Sequence, residues 1–481
     1  MQLRMKKILS VMILALITVQ LNAQKVLLYG KAADYAAKEI SFYTIPDPIL
    51  HQKQELATTR VASDGAFSLL LPINETTEIY SDLEKFIGSM VVEPGKNYEV
   101  ALPPYSPKTS AEAHSIYFKP TPYWFGLPGT DNTDLNFAVR SFLTDFNLES
   151  VKSTSQVYQQ QSKEVAHEII ERLRKKYASI ENPYFTILMK YTFAELEFAV
   201  YQKNEDPVIQ KYFASQPIHP GHPAYQGAFD LLFTDYLRKQ SQDNQNRKIT
   251  TFINSGDFNS LIAFFETKGF KKEFTGLVVL KGLYESYYTA SFSKEGVLKA
   301  IEMAQAETTS PLLHPIAEQV KNKLKLLALG EKAPTIRLSN LKKEMVSMDQ
   351  FKGKFVYLSF FNSGSSDCRV ETDSIVSLEK RLRQILTVIT VAVDDDFSHP
   401  SNLWKTKGYS WELLNGSRQK QLIVNYNASL TPVFYLIGPE GTLLLSQAPS
   451  PSHGFEPAFL KLLRDYNFKH KPRQFKPGEL R

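Results

Sequence analysis

Cys368 is the only cysteine in 481 residues, and it follows Ser365 by three positions in the run Gly364-Ser365-Ser366-Asp367-Cys368. A cysteine thiolate attacks disulfides and peroxides, whereas a serine hydroxyl keeps its proton unless a dedicated base removes it. Storing two electrons as an intrachain disulfide takes two sulfurs. Dithiol exchange within this chain is therefore excluded by count. Two other constellations invite a ligand reading. His219-Pro220-Gly221-His222-Pro223 brings two imidazoles together, short of a zinc ligand set, and its prolines read as an interhelix turn. Asp394-Asp395-Asp396 has the oxygen chemistry of a hard-cation site but no identifiable partner ligands, so a solvated acidic loop is expected. There is no phosphate-binding Gly-rich loop, no Gly-x-Ser-x-Gly elbow and no paired-histidine zinc helix. No metal and no cofactor is expected.

The elements around Cys368 alternate between strand and helix. Phe355–Phe361 and Leu386–Val393 are largely apolar runs of buried-strand type, and Ser374–Ile385 between them has helical spacing. Leu422–Tyr426 closes a short helix. Pro432–Ile437 and Leu443–Leu445 form a hairpin across Gly438–Gly441, and Pro457–Tyr466 ends the region as a helix. Upstream, the period differs. Residues 24–104 hold short strand-like runs such as Lys25–Tyr29, Glu39–Tyr43 and Ala66–Leu71, separated by turn signals, which argues for a small antiparallel β-sandwich. Residues 105–130, rich in Pro, Ser and Thr, read as a linker. Residues 131–325 place apolar residues three and four apart in runs such as Gln156–Ile180, Tyr184–Tyr201 and Ala224–Lys239, giving an all-helical region of seven to nine helices. The alternating region spans 326–468, and 469–481 is a basic tail.

The totals fit this multidomain α+β organisation: 43% hydrophobic, 22% charged, with 31 Phe and 24 Tyr as packing anchors. The formal charge of +6 includes Arg4, Lys6 and Lys7 of an N-terminal leader, and the remaining charges are interspersed apart from small clusters at Arg172–Lys176 and Lys469–Arg473. Nucleic-acid binding is excluded on that pattern. The leader, residues 1–23, has a basic start, an apolar run from Ile8 to Leu21, and Leu21-Asn22-Ala23 before Gln24. That run is short of the ~20 residues a spanning helix needs, so a signal peptide and an exported, periplasmic protein without a later membrane span are expected. No cysteine stands near the cleavage point to take a lipid.

Five landmarks in order give the 326–468 region a resemblance to the exported thioredoxin-like (TlpA/redoxin, AhpC/TSA-related) family of the Bacteroidetes type. They are Gly330-Glu331-Lys332-Ala333-Pro334, Met348–Lys354 before the first buried strand, Asn362–Glu371 at the redox loop, Ala392-Val393-Asp394, and Thr431–Ile437. The resemblance implies a thioredoxin-like α/β domain, a cis Thr431-Pro432 bond facing the redox site, and a loop that pairs extended peptide backbone. It also implies that Ser365 occupies the first-cysteine position and Gly364 that of the usual tryptophan. The motif is thus degenerate, Ser-x-x-Cys in place of Cys-x-x-Cys. Ser365 is expected to cap the following helix, with Cys368 one turn in, where a lone buried cysteine acts as a small hydrophobe.

Two functions stay open on this reading, beside a purely structural envelope component whose helical region carries the partner surface. One is a protein- or peptide-binding module of the cell envelope, lacking dithiol–disulfide activity, with Thr431 and Pro432 in its groove and an unknown envelope protein or peptide as partner. The other is a monothiol thioredoxin- or peroxiredoxin-like oxidoreductase using Cys368. Against the second, the peroxiredoxin-like pattern has proline where Phe361 stands, and its arginine has only Arg369 and the distant Arg418 as candidates. Oligomeric state has no signature in the sequence.

Overall fold

The computed structural model describes residues 25–470, apart from 110, 111, 113–117, 202, 203, 244, 245, 288, 290 and 418. The leader 1–23 and the tail from 471 lie outside the described residues. Among the described residues the chain packs as two compact units, one from 25–108 and 118–320, the other from 321–470 with 109 and 112.

The first unit begins with eight strands: β1 (Lys25–Lys31), β2 (Glu39–Thr44), β3 (Gln54–Arg60), β4 (Ala66–Pro72), β5 (Thr77–Leu83), β6 (Phe86–Val92), β7 (Asn97–Glu99) and β8 (Thr121–Trp124). They form two sheets, β4-β1-β7 and β3-β2-β5-β6-β8. The alternation in β4, AFSLLLP, sends Phe67, Leu69 and Leu71 inward. There they share one core with Val26, Leu28, Phe42, Ile79 and Met90. Two pairs are parallel, β1 with β7 and β6 with β8, so the sandwich is mixed rather than purely antiparallel. The stretch read as a linker supplies β8, and Phe125 beyond it is 2% exposed. Its ring occupies the space a side chain at Gly88 would need, 2.2 Å from an ideal Cβ.

Eleven α-helices follow among the described residues: α1 (Leu135–Lys152), α2 (Lys163–Lys176), α3 (Pro183–Val200), α4 (Asp206–Ile209), α5 (Pro223–Phe233), α6 (Tyr236–Gln242), α7 (Lys248–Ser255), α8 (Phe258–Glu266), α9 (Lys272–Ser286), α10 (Lys294–Glu307) and α11 (Leu313–Lys325). The number exceeds seven to nine because apolar spacing runs through breaks that the backbone makes. Gln161, at φ +54°, separates α2 from the π-turn Ser155–Gln159, and Ser162 caps α2 by accepting from Val165 N at 3.3 Å. Asp235, at φ +58°, likewise divides α5 from α6. Sandwich and helices join through buried polar contacts. Asn136 accepts from Val91 N at 2.7 Å and donates to Val91 O at 2.9 Å.

Two carboxyls in this unit give it a pH signature. Burial pushes Glu78 up to about 7, against the hydrogen bonds from Ser89, Tyr184 and Tyr80 that pull it down. Burial alone brings Glu195 to about 7. Folding favours the protonated form of both. Their contribution is therefore complete below the unfolded carboxyl range near pH 4.5 and is lost as pH rises through about 7. A double Glu78→Gln, Glu195→Gln variant should melt higher than wild type at pH 8 and alike at pH 4.5, followed by calorimetry. Parallel melting curves at both values would show that neither carboxyl is desolvated.

The second unit is a thioredoxin-like α/β domain. Its central sheet runs β13 (Glu412–Asn415), β12 (Leu386–Ala392), β11 (Phe355–Phe361), β14 (Val433–Ile437), β15 (Leu443–Ser446), and a short pair β9 (Arg337–Ser339) and β10 (Met345–Ser347) precedes it. β11, β12 and β13 are parallel, while β14 is antiparallel to β11 and β15 to β14. β11 is buried on both faces, hence its apolar run, interrupted only at Ser359. Phe355, Tyr357 and Phe361 pack under helices α12 (Ser366–Leu382), α13 (Ser398–Lys407) and α15 (Phe455–His470). Val356, Leu358 and Phe360 pack the other face, against the β9–β10 pair and α14 (Lys420–Asn425). The polar break in β11, Ser359, is satisfied by Thr390 Oγ1 at 2.7 Å.

Candidate functional site

β11 delivers the chain to the loop Asn362–Gly364 and then to α12, at the carboxyl end of the parallel strands, where ligands of open α/β sheets collect. The loop is tied down by its own polar groups. Asn362 Oδ1 accepts from Gly364 N at 2.9 Å. Asp394, just past β12, accepts from Ser363 N at 3.0 Å and from the Ser363 hydroxyl. Arg369 reaches back to donate to Ser363 O at 2.7 Å. Asp394 is only 9% exposed, so the acidic run is not the wholly solvated loop its composition suggests. Asp395 and Asp396 are exposed, and Asp396 accepts from Ser398 N at 2.9 Å.

Ser365 is the N-cap of α12, and its hydroxyl accepts from Cys368 N at 3.3 Å. Cys368 is in the first turn and 0% exposed, packed in the core that contains Phe361, Ile375 and Trp404. Its sulfur accepts from Asn362 N at 3.5 Å, and Thr372 Oγ1 donates to its carbonyl at 2.7 Å. The helix begins eight residues before the expected Ser374, which is what places both residues on its first turn. Phe361 sits in that core with its ring 5.4 Å from Trp404. Arg418 lies outside the described residues.

The Thr431-Pro432 peptide bond is cis. Among the described residues, no protein group hydrogen-bonds the main chain of Thr431. Pro432 borders a groove of about 640 Å³ lined by Asp367, Val370 and Glu371 of α12, by Leu430, and by Gln447, Ala448, Ser450, Ser452 and His453. Cys368 is not among the groove residues. One feature of the wall had no signal in the sequence. Glu371 accepts from Ser450 Oγ at 2.9 Å and Ser452 N at 3.1 Å, and pairs with His453 Nδ1 at 3.3 Å. Burial pushes its carboxyl up, but the bonds from Ser452, Ser450 and His453 outweigh that and hold it below the usual range. Ser450, Ser452 and His453 lie some eighty positions further along the chain, beyond the reach of any local pattern.

The two histidines of 219–223 lie in the first unit. His222 caps α5, its Nδ1 accepting from Ala224 N at 3.2 Å while Nε2 faces Tyr184 O at 3.1 Å. Burial pushes it down to about 4, so the ring is neutral and both nitrogens are engaged.

Residues 329–445 match the model of the AhpC/TSA family. Among solved structures, the chain is similar to the thioredoxin domain of a thiol-disulfide oxidoreductase from Bacteroides vulgatus, at 24% identity over 28% of this chain and 99% of that one, TM-score 0.27. It is similar to a putative thiol:disulfide interchange protein DsbE from Chlorobium tepidum at 22% identity over 28% and 99%, TM-score 0.27. A C-terminal domain of a putative thiol-disulfide oxidoreductase from Bacteroides thetaiotaomicron matches at 18% identity over 29% and 99%, TM-score 0.27. No curated protein matches the chain.

Proposed function

We propose that the AhpC/TSA-type domain of this chain is a polypeptide-binding module of the cell envelope that carries out no dithiol–disulfide exchange. The observation that carries this reading is the chemistry at position 365. A hydroxyl stands where the attacking sulfur of a dithiol pair would be, and it is spent on capping α12. The single thiol lies beneath it, fully buried. Beside this silent position the groove keeps what binding needs: the exposed apolar side chains Val370 and Leu430, and the unpaired main chain of Thr431, which an extended segment can meet as an added strand would. The monothiol alternative has less support, since Arg369 is committed to the Ser363 carbonyl and the Cys368 sulfur lies inside the core. Envelope placement rests on the leader 1–23. No helix among the described residues is long and apolar enough to cross a membrane.

Hydrogen exchange on the full chain tests the binding. A permanently unfolded polypeptide with blocked cysteines should slow exchange at residues 430–434 and 366–371. Unchanged exchange in both segments under saturating polypeptide would remove the proposal.

A further inference from the structure

Resting on the peptide-binding reading above, we infer that the groove selects extended segments that place an apolar side chain next to a lysine or arginine. The apolar half follows from Val370 and Leu430. Both are large, both line the groove with Pro432, and they remain 61% and 49% exposed. An apolar side chain laid between them removes that surface from water.

The basic half follows from an inventory of charge. The groove has two carboxylates and neither lysine nor arginine. Glu371 is already spent on Ser450, Ser452 and His453. His453, the groove's one imidazole, is turned onto that same cluster. Asp367 is exposed, and its carboxylate accepts from the hydroxyl of its neighbour Ser366 at 3.4 Å. A competing effect is the N-terminal end of α12, whose partial positive charge of roughly half a unit favours anions. The full negative charge of Asp367 in that first turn outweighs it, and the Cys368 N–H there is already taken by Ser365. What the groove shows an incoming segment is therefore net negative. A rim charge of this kind steers and discriminates modestly and is screened by salt.

The test uses the full chain and three cysteine-free peptides of equal length, each with the same apolar centre flanked by Lys, Gln or Glu, read by fluorescence anisotropy. At low salt the Lys peptide should bind about threefold to tenfold tighter than the Glu peptide, with the Gln peptide between. High salt should compress that spread. Asp367→Lys should reverse the order, and Val370→Ser should weaken all three alike. Equal binding of the three peptides, or an unchanged order in Asp367→Lys, overturns the charge preference while leaving polypeptide binding intact. Binding of none of them overturns both.

Discussion

Ser365→Cys is expected to give the AhpC/TSA-type domain disulfide-exchange activity. The substituted sulfur would occupy the N-cap position of a 17-residue helix, where the native hydroxyl accepts from Cys368 N at 3.3 Å. A thiolate there gains the same N–H and the positive end of the helix dipole. Such settings bring a cysteine from about 8.5 toward 7, roughly tenfold more thiolate at neutral pH. The introduced thiolate attacks a substrate disulfide, forming a mixed disulfide and expelling one substrate thiolate. Cys368 loses its proton, displaces the second substrate thiolate and closes an intrachain disulfide, which dithiothreitol then reduces. Insulin reduction by the variant should exceed wild type on the order of tenfold. Its oxidised mass should fall by two hydrogen atoms. Adding Cys368→Ala should restore the wild-type rate and trap the mixed disulfide. A variant that never closes the intrachain disulfide would mean that positions 365 and 368 do not hold the geometry described.

Asp394→Ala should cost the second unit about 2 to 4 kcal/mol. The carboxylate is nearly buried and accepts both donors of Ser363, which the substitution leaves unpaired inside the loop that sets up α12. For a unit of this size the loss corresponds to roughly 5 to 15 °C in melting temperature. Two of the three tryptophans, Trp404 and Trp411, are buried in this unit, so intrinsic fluorescence follows it. Asp394→Asn, which retains an acceptor oxygen, should lose less. A change within about half a kcal/mol for the alanine variant would return Asp394 to the solvated acidic loop that its neighbours form.

How far the sequence speaks for itself depends on the range over which each signal acts. β11 is legible because a strand buried on both faces is apolar nearly throughout, and Ser365 is legible because capping is a local hydrogen bond. The start of α12 is hidden by its composition. Among its first eight residues only Cys368 and Val370 are apolar, so the helical period emerges only further on. β8 is hidden by Pro122, which argues against a central strand but is accepted here because β8 lies at the edge of its sheet. Asp394 sits in a run of three acids that looks uniformly solvated, and only the turn after β12 aims one of them inward. Glu371 is legible as a residue but not as a partner, because Ser450 and Ser452 reach it through the fold.

Binding and electron transfer measured on one sample decide the central claim. Wild type and Cys368→Ala would each be titrated with the cysteine-blocked unfolded polypeptide and then assayed for insulin reduction with dithiothreitol. The account predicts equal affinities for the two proteins and turnover no faster than dithiothreitol alone for both. Turnover well above that background in wild type, lost in Cys368→Ala, would contradict it.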